Sequence, residues 1–579
     1  MKFLQTQLFA LAFPLLGAAC SSESPSPQAT DTSPTTTAST ENPGAGGTPG
    51  VPTTTATGTS TVPVFPVDLP TNGALGPIAL RRLNTPEYEN TVQDLLKVAP
   101  GTTRQFRDDD ASLGYKNIAA ALTVTPLLAE RYAITARTLA NTLDVAKFAP
   151  CAAGGTETMC AEAFIQSFGR GAFRRPITNE ELTGYSAIFS GEQTRSNYAG
   201  GIRLVAEAML QSPHFLYKTE IGEGSGVDRK LTAYELATQL SYLMTGSMPD
   251  AELAAAAETA KLEVPSEREA HVRRLLGTPR GMAWFTTFVT QWLGIADAGY
   301  VSKDQGAFPT YTGSLSVAIT EESTRFIGRI LTQSNGSLET LLTANWTLAN
   351  PELGTHYGLA QAPTDWQQVT LPVDQRLGIL TQPAFLVATS KARESFPMRR
   401  GKSLRSRILC GDVPPPPPEL MVQFTILSDD LTTREALAAH GQAGSSCAAC
   451  HSLIDPLGLA FENYDATGAY RTKENDRPID ASGAINAISP EIDGPFANAL
   501  EFAKRIAPSQ VLKACVAREA LRWSIGRETV AAPSTDPNVI RDQVMISVLA
   551  ARLSTNNSDI RELPVALVLR DEFGFRSDK

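Results

Sequence analysis

Five residues in this chain have the types and spacing for covalent and metal chemistry together: Cys447-Ala448-Ala449-Cys450-His451. Two thiols three residues apart can add across the two vinyl groups of a porphyrin, and the adjacent imidazole is then carried beneath the ring as an iron ligand. This order is the c-type haem attachment pattern, with one covalent haem on Cys447 and Cys450 and His451 as proximal ligand. Shuffling seven cysteines and five histidines through 579 residues would produce it on the order of one time in a thousand. Two other readings stay open on the same residues. A redox dithiol would need a βαβ setting, which the sequence does not offer. A zinc site could use His440 and His451 to complete four ligands, but consecutive Cys450 and His451 on one tetrahedral ion would be awkward, and no second CxxC is present.

The sixth iron position draws on fewer signals. His440 lies eleven residues before His451, after a helix-like run from Thr433 to Ala439, and is the first candidate for distal ligand. A histidine packed near the haem edge is the competing reading. Met398, Met421 and Met545 are further candidates, and a five-coordinate iron is also open. Downstream, the Pro456 carbonyl is placed to accept the His451 Nδ1 proton and so orient the ring. Leu457, Leu459 and Phe461 could wall the porphyrin or be plain core. Arg471, with Arg399, Arg400 and Lys402 upstream, are candidate partners for haem propionates, against the commoner fate of surface charge. Elsewhere there is no Gly-Xaa-Ser-Xaa-Gly elbow, phosphate loop or dinucleotide fingerprint. Asp108-Asp109-Asp110 lacks a calcium-loop pattern and reads as a solvated acidic turn. His214, His271 and His356 are isolated and read as structural.

The elements that must position these residues are mainly helices. Thr85-Pro86-Glu87 puts a capping residue before a proline, and Tyr88, Val92, Leu95 and Leu96 follow on one face. Thr178 to Glu181 and Thr232 to Glu235 match the capping box. Further helical stretches run through 202–210, 284–293, 319–331 and 511–523. The clearest strand signal is a hairpin from Pro478 to Phe496, with turn chemistry at 480–483 and at Asp493-Gly494. The expected fold class is mainly α, a multi-helix body with a small β-hairpin near the C-terminal haem segment, preceded by a disordered tether. The expected division is a signal peptide (1–20), a Ser/Thr/Pro/Gly linker (21–74), an N-terminal helical module (75–150), a helical module with a local disulfide (151–226), a central helical domain (227–370), a cytochrome c-like haem segment (371–480), and a C-terminal hairpin and helical segment (481–579).

The first twenty residues carry Lys2, an apolar run from Leu8 to Leu16 and small residues leading to Cys20, which reads as a lipoprotein-type export signal with Cys20 lipidated. Gly17 stands where such signals usually place a leucine, so cleavage after Ala19 without lipidation is the alternative. The expected location is the cell envelope, lipid-anchored to the outer membrane or otherwise periplasmic or secreted. Residues 21 to about 72 hold too little apolar surface to offset their chain entropy. A composition of 42% hydrophobic and 19% charged residues is that of a soluble globular body. The net charge of -10 argues against neutralising phosphates, so no nucleic-acid partner is expected.

Seven cysteines in an exported chain need an accounting. With Cys20 lipidated and Cys447 and Cys450 on haem, Cys151 and Cys160 could close a local disulfide and Cys410 and Cys515 a long-range one. Four cysteines allow three pairings, and this one leaves no free thiol.

The segment from Cys447 to Arg471 resembles the haem-motif segment of a bacterial group found in planctomycetes and myxobacteria, built from consecutive domains of unknown function with cytochrome c-like character. The resemblance extends through Arg81-Arg82-Leu83-Asn84, Phe173-Arg174-Arg175-Pro176, Leu231-Thr232-Ala233-Tyr234-Glu235, Leu377 to Gln382, the proline run 414–418 and Ala520 to Arg527. It implies a histidine about as far upstream of the motif as His440, and no particular reaction. Three functions follow as expectations: envelope electron transfer with an unknown redox partner, a peroxidase- or oxygenase-like haem enzyme on an extracellular substrate, or a polysaccharide-binding surface protein with structural haem. Over 300 residues precede the motif, far more than a bare carrier needs.

Overall fold

Helix starts are set by local side-chain chemistry. In the computed structural model, which describes residues 73–77, 80–151, 155–414, 431–438, 447–529 and 536–577, Thr178 and Thr232 each accept a hydrogen bond from the backbone of Glu181 and Glu235 while those carboxylates reach back, launching helices Asn179–Arg195 and Ala233–Thr245. The first helix, Thr85–Leu96, is capped one residue earlier than expected. Asn84, not Thr85, accepts from the Glu87 amide, and Thr85 is already helical. Cys20, the export signal, the tether, His440 and Met421 lie outside the described residues.

The described residues fall within one unit, Gly58–Lys579, and are mainly helical. Among the described residues, strands occur only in short two-stranded antiparallel pairs. One of these, Gly483–Ile485 with Gly494–Phe496, is the expected hairpin, in the register Gly483 opposite Phe496. The Asp493 carboxylate accepts from the amides of Ile488 and Ser489 and closes its loop. No described helix is long and apolar enough to cross a membrane.

Two apolar cores organise the chain. The first gathers Leu83, Tyr88, Tyr132, Phe164, Phe168, Met209 and Phe215, so the segments 75–150 and 151–226 share one interior. The second runs from Leu236 through Trp292, Phe326 and Phe385 to Phe461, Leu512 and Leu567, joining the central, CxxCH and C-terminal segments. Burial of each such side chain contributes roughly 1.5–3 kcal/mol.

Charges weld the first core to its neighbour. Glu87, 1% exposed, pairs with Arg81 at 3.2 Å and with Lys218 at 3.3 Å, while Arg82 pairs with buried Asp109 at 2.7 Å. Arg174 donates to the carbonyls of His214, Phe215 and Tyr217, and Lys218 lies over the Tyr242 ring at 4.9 Å. The arginine-rich signatures at 81–82 and 174–175 are therefore structural. The acidic turn at 108–110 is not simply solvated, because Asp109 is committed to Arg82.

Disulfides join Cys151 to Cys160 and Cys410 to Cys515. The second ties the segment preceding the CxxCH motif to the helix Gln510–Ile525. Beside it, Glu519 accepts from Tyr115 at 2.8 Å and from Arg522 at 2.8 Å.

Candidate functional site

Cys447 to His451 open the helix Ala448–Leu459, with Cys447 at the cap position. Cysteines 447 and 450 are unbonded thiols, both half-buried, in a structure whose other described cysteines are all paired. A separation of three residues puts both thiols on one side of the first turn, with His451 on the next position. The His451 main-chain amide donates to the Cys447 carbonyl at 3.1 Å.

The ring of His451 is oriented from within the same helix. Its Nδ1 lies 2.9 Å from Oδ2 of Asp455, one turn on, and the two side chains are 15% and 11% exposed. The expectation placed the Pro456 carbonyl in this role. The structure assigns it to Asp455, because the helix continues through Pro456 and i, i+4 spacing brings the carboxylate against the ring. Carboxylate support of this kind fixes ring orientation and raises ligand basicity, and makes Nε2 the nitrogen an iron would take.

Pro456 has a different consequence. It lacks the amide that would bond the Ser452 carbonyl four residues back. Asn486 Nδ2, just beyond the hairpin strand Gly483–Ile485, donates to that carbonyl at 2.9 Å. A Cβ on Gly483 would stand 2.3 Å from the Pro456 carbonyl oxygen, so the hairpin lies directly on the proline break.

The other side of the motif helix is crossed by the helix Pro397–Ser403. A Cβ on Gly401 would meet the Ile454 carbonyl oxygen at 1.8 Å, and one on Gly458 would meet that of Pro397 at 1.9 Å. Two glycines facing opposite backbones let the helices touch main chain to main chain.

Several expected haem neighbours have other partners. Arg471 bonds Glu462 Oε2 at 3.0 Å and Glu474 Oε1 at 3.2 Å, which commits it to carboxylates rather than to a propionate. Arg400 is fully buried and pairs with Glu462 Oε1 at 3.1 Å, while Ser395 donates to Oε2 at 2.6 Å. Burial pushes the Glu462 carboxyl up against the downward pull of Arg400 and Arg471. Phe461 packs among Phe385, Tyr464 and Phe502, and Leu457 and Leu459 are buried with it, so these residues are core. Arg399 and Lys402 are exposed. Met398 is half-buried on the crossing helix, and Met545 is buried in the helix Pro537–Thr555. His214 packs on Phe173, His271 lies beside Arg274, and His356 is half-buried with its imidazole pushed down to about 4, chiefly by desolvation and then by Arg376.

The donor set suits a covalently held porphyrin. Two accessible thiols on one helical turn could form the thioethers, and an imidazole already oriented through Nδ1 could take the iron. Among the described residues no group of three or more His, Cys, Asp or Glu side chains converges as a bare ion would need, and His440, which a zinc site would use, lies outside them. A cavity of about 420 Å³ opens nearby in sequence, between the helix Thr433–Ala438 and the pair Lys473–Glu474 with Arg477–Pro478. Its lining includes Arg434, Glu462, Glu474 and Arg477, but neither motif cysteine nor His451.

Fold and site thus define a mainly helical, disulfide-bonded protein built from consecutive segments around a CxxCH helix. Four families match those segments in order: PSD3, protein of unknown function (DUF1587), at residues 81–145; PSD5, protein of unknown function (DUF1595), at 160–220; PSD4, protein of unknown function (DUF1592), at 231–359; and PSCyt3, protein of unknown function (DUF1588), at 376–474. The last spans the crossing helix, the motif helix and Arg471. No curated protein and no solved structure matched the chain.

Proposed function

We propose that this chain is an exported c-type haem protein that transfers electrons in the bacterial cell envelope, anchored through a lipid on Cys20. Haem c, when bound, supplies a one-electron iron couple. Cys447 and Cys450 would hold it by thioether bonds, and His451, through Nε2, and His440 would be its iron ligands. Asp455 keeps the His451 ring turned and its Nδ1 engaged, while the glycine crossing and the Asn486 bond hold the motif helix in place. The observation that carries this reading is the pair of unbonded thiols on one helical turn beside a carboxylate-supported histidine. The name of the family matching 376–474 points the same way.

The test is expression with haem-maturation machinery, followed by a haem stain after denaturing electrophoresis and visible spectra. One covalent haem is expected in the parent chain and none in Cys447→Ser/Cys450→Ser. An unstained parent band overturns the proposal. His440→Ala is expected to shift the low-spin spectrum, and an unchanged spectrum removes His440 as ligand.

A further inference from the structure

The segment 391–407 holds seven Lys and Arg residues and one carboxylate, in a chain of net charge -10. Such a concentration against the overall sign calls for an account of where each charge goes. Arg400 is neutralised by Glu462, and Lys391 pairs with Glu394. Arg405 donates to the carbonyls of Asp412 and Asn486, and Arg407 to those of Gln291 and Trp292, which satisfies their hydrogen bonds without cancelling their charge. Arg393, 73% exposed, has Asp304 at 3.7 Å as its one ion-pair partner among the described residues. Arg399 and Lys402 are exposed on the crossing helix and form no ion pair among the described residues.

Two of these outward cations, Arg399 and Lys402, lie on the helix that crosses the motif helix. Lys402 follows Gly401, whose backbone abuts Ile454, three residues after His451. The neighbouring Lys303 ammonium is pushed down to about 8, chiefly by burial; Asp465 pulls it up, and Arg400 and Arg399 push it down. Uncompensated charge at a surface speeds encounter with an oppositely charged partner more than it tightens the final complex, which suits a brief exchange.

We propose that Arg393, Arg399 and Lys402 form the docking surface for an acidic protein partner that exchanges electrons at the adjacent motif helix. The partner's class as a redox protein rests on the haem reading, whereas its acidic chemistry rests on the surface charge alone. A bilayer lying on this face would instead cover the motif helix and close it to soluble partners.

The experiment uses the full mature chain on a surface bearing poly-L-glutamate, with phosphatidylglycerol vesicles as a second probe and a haem stain on the same preparations. Binding to poly-L-glutamate is expected, falling as salt is raised. Arg393→Glu/Arg399→Glu/Lys402→Glu should weaken it at least tenfold. Arg107→Glu/Arg137→Glu/Arg195→Glu, the same charge change at exposed sites elsewhere, should stay within twofold. The proposal is overturned by a loss under twofold in the first variant, by an equal loss in the second, or by tighter binding to the vesicles than to poly-L-glutamate. A negative haem stain with binding intact would overturn the haem reading and leave the acidic docking surface standing.

Discussion

Replacing Gly401 by alanine separates two effects that usually travel together. Alanine in a helix interior is favoured over glycine by about 1 kcal/mol, so propensity alone predicts stabilisation. Contact predicts the reverse. The new Cβ would lie 1.8 Å from the Ile454 carbonyl oxygen, and real Cβ contacts essentially never fall under 3.0 Å, so the crossing must open by more than an ångström. The obstructing atom is backbone inside the motif helix and cannot rotate away. Over-packing of this kind destabilises by about 1–3 kcal/mol. The expected net effect is therefore a loss, with the motif helix displaced from its support. Guanidinium unfolding followed by circular dichroism measures it, and Gly328→Ala is the control, because Gly328 lies in the helix Gly313–Gln333 with open space where its Cβ would go. That control should gain up to about 1 kcal/mol. Gly458→Ala meets the Pro397 carbonyl across the same crossing, so the double variant should lose less than the sum of the singles. If Gly401→Ala is as stable as the parent, or gains like Gly328→Ala, the helices do not touch as described and the reasoning fails.

Asn486→Ala leaves the Ser452 carbonyl without the donor that replaces the missing Pro456 amide, and a lower midpoint worth about 1 kcal/mol is expected; Asn486→Asp, which cannot donate there, should be no better. Glu87→Ala strands Arg81 and Lys218 in the first core, and about 3–5 kcal/mol should disappear in denaturant unfolding, a loss that a midpoint within error of the parent would contradict. Glu322 accepts from Thr347 at 2.6 Å and from Tyr357, and burial, opposed by those bonds and by Arg376, pushes its carboxyl up to about 7. The folded state then holds the proton more tightly than the unfolded chain, so this contribution is complete below about pH 4.5 and is lost as pH rises toward 7, by about 3 kcal/mol. Stability of Glu322→Gln relative to the parent should therefore rise across that window, and parallel pH profiles would refute the assignment.

Local chemistry was the part legible in the sequence. The CxxCH order, the capping boxes at Thr178 and Thr232, the mainly helical pattern and the hairpin signal near Asp493-Gly494 each depend on residues a few positions apart, where backbone geometry alone sets which atoms meet. Cysteine counting narrowed the disulfides, but pairing Cys410 with Cys515 across 105 residues is a result of how the chain returns on itself. Asp455 was hidden for a simple reason: Pro456 reads as a helix end, and only a helix that continues through it puts Asp455 one turn from His451. The tertiary structure makes that continuation tenable by bringing Asn486 to the vacated carbonyl. Gly401 and Gly458 gave no sign of a crossing, because a glycine without a known neighbour reads only as flexibility. Arg471 and Arg399 are equivalent cations in sequence. One is committed to Glu462 and Glu474 and the other faces outward, since the fate of a charge is decided by the carboxylates the fold brings within reach.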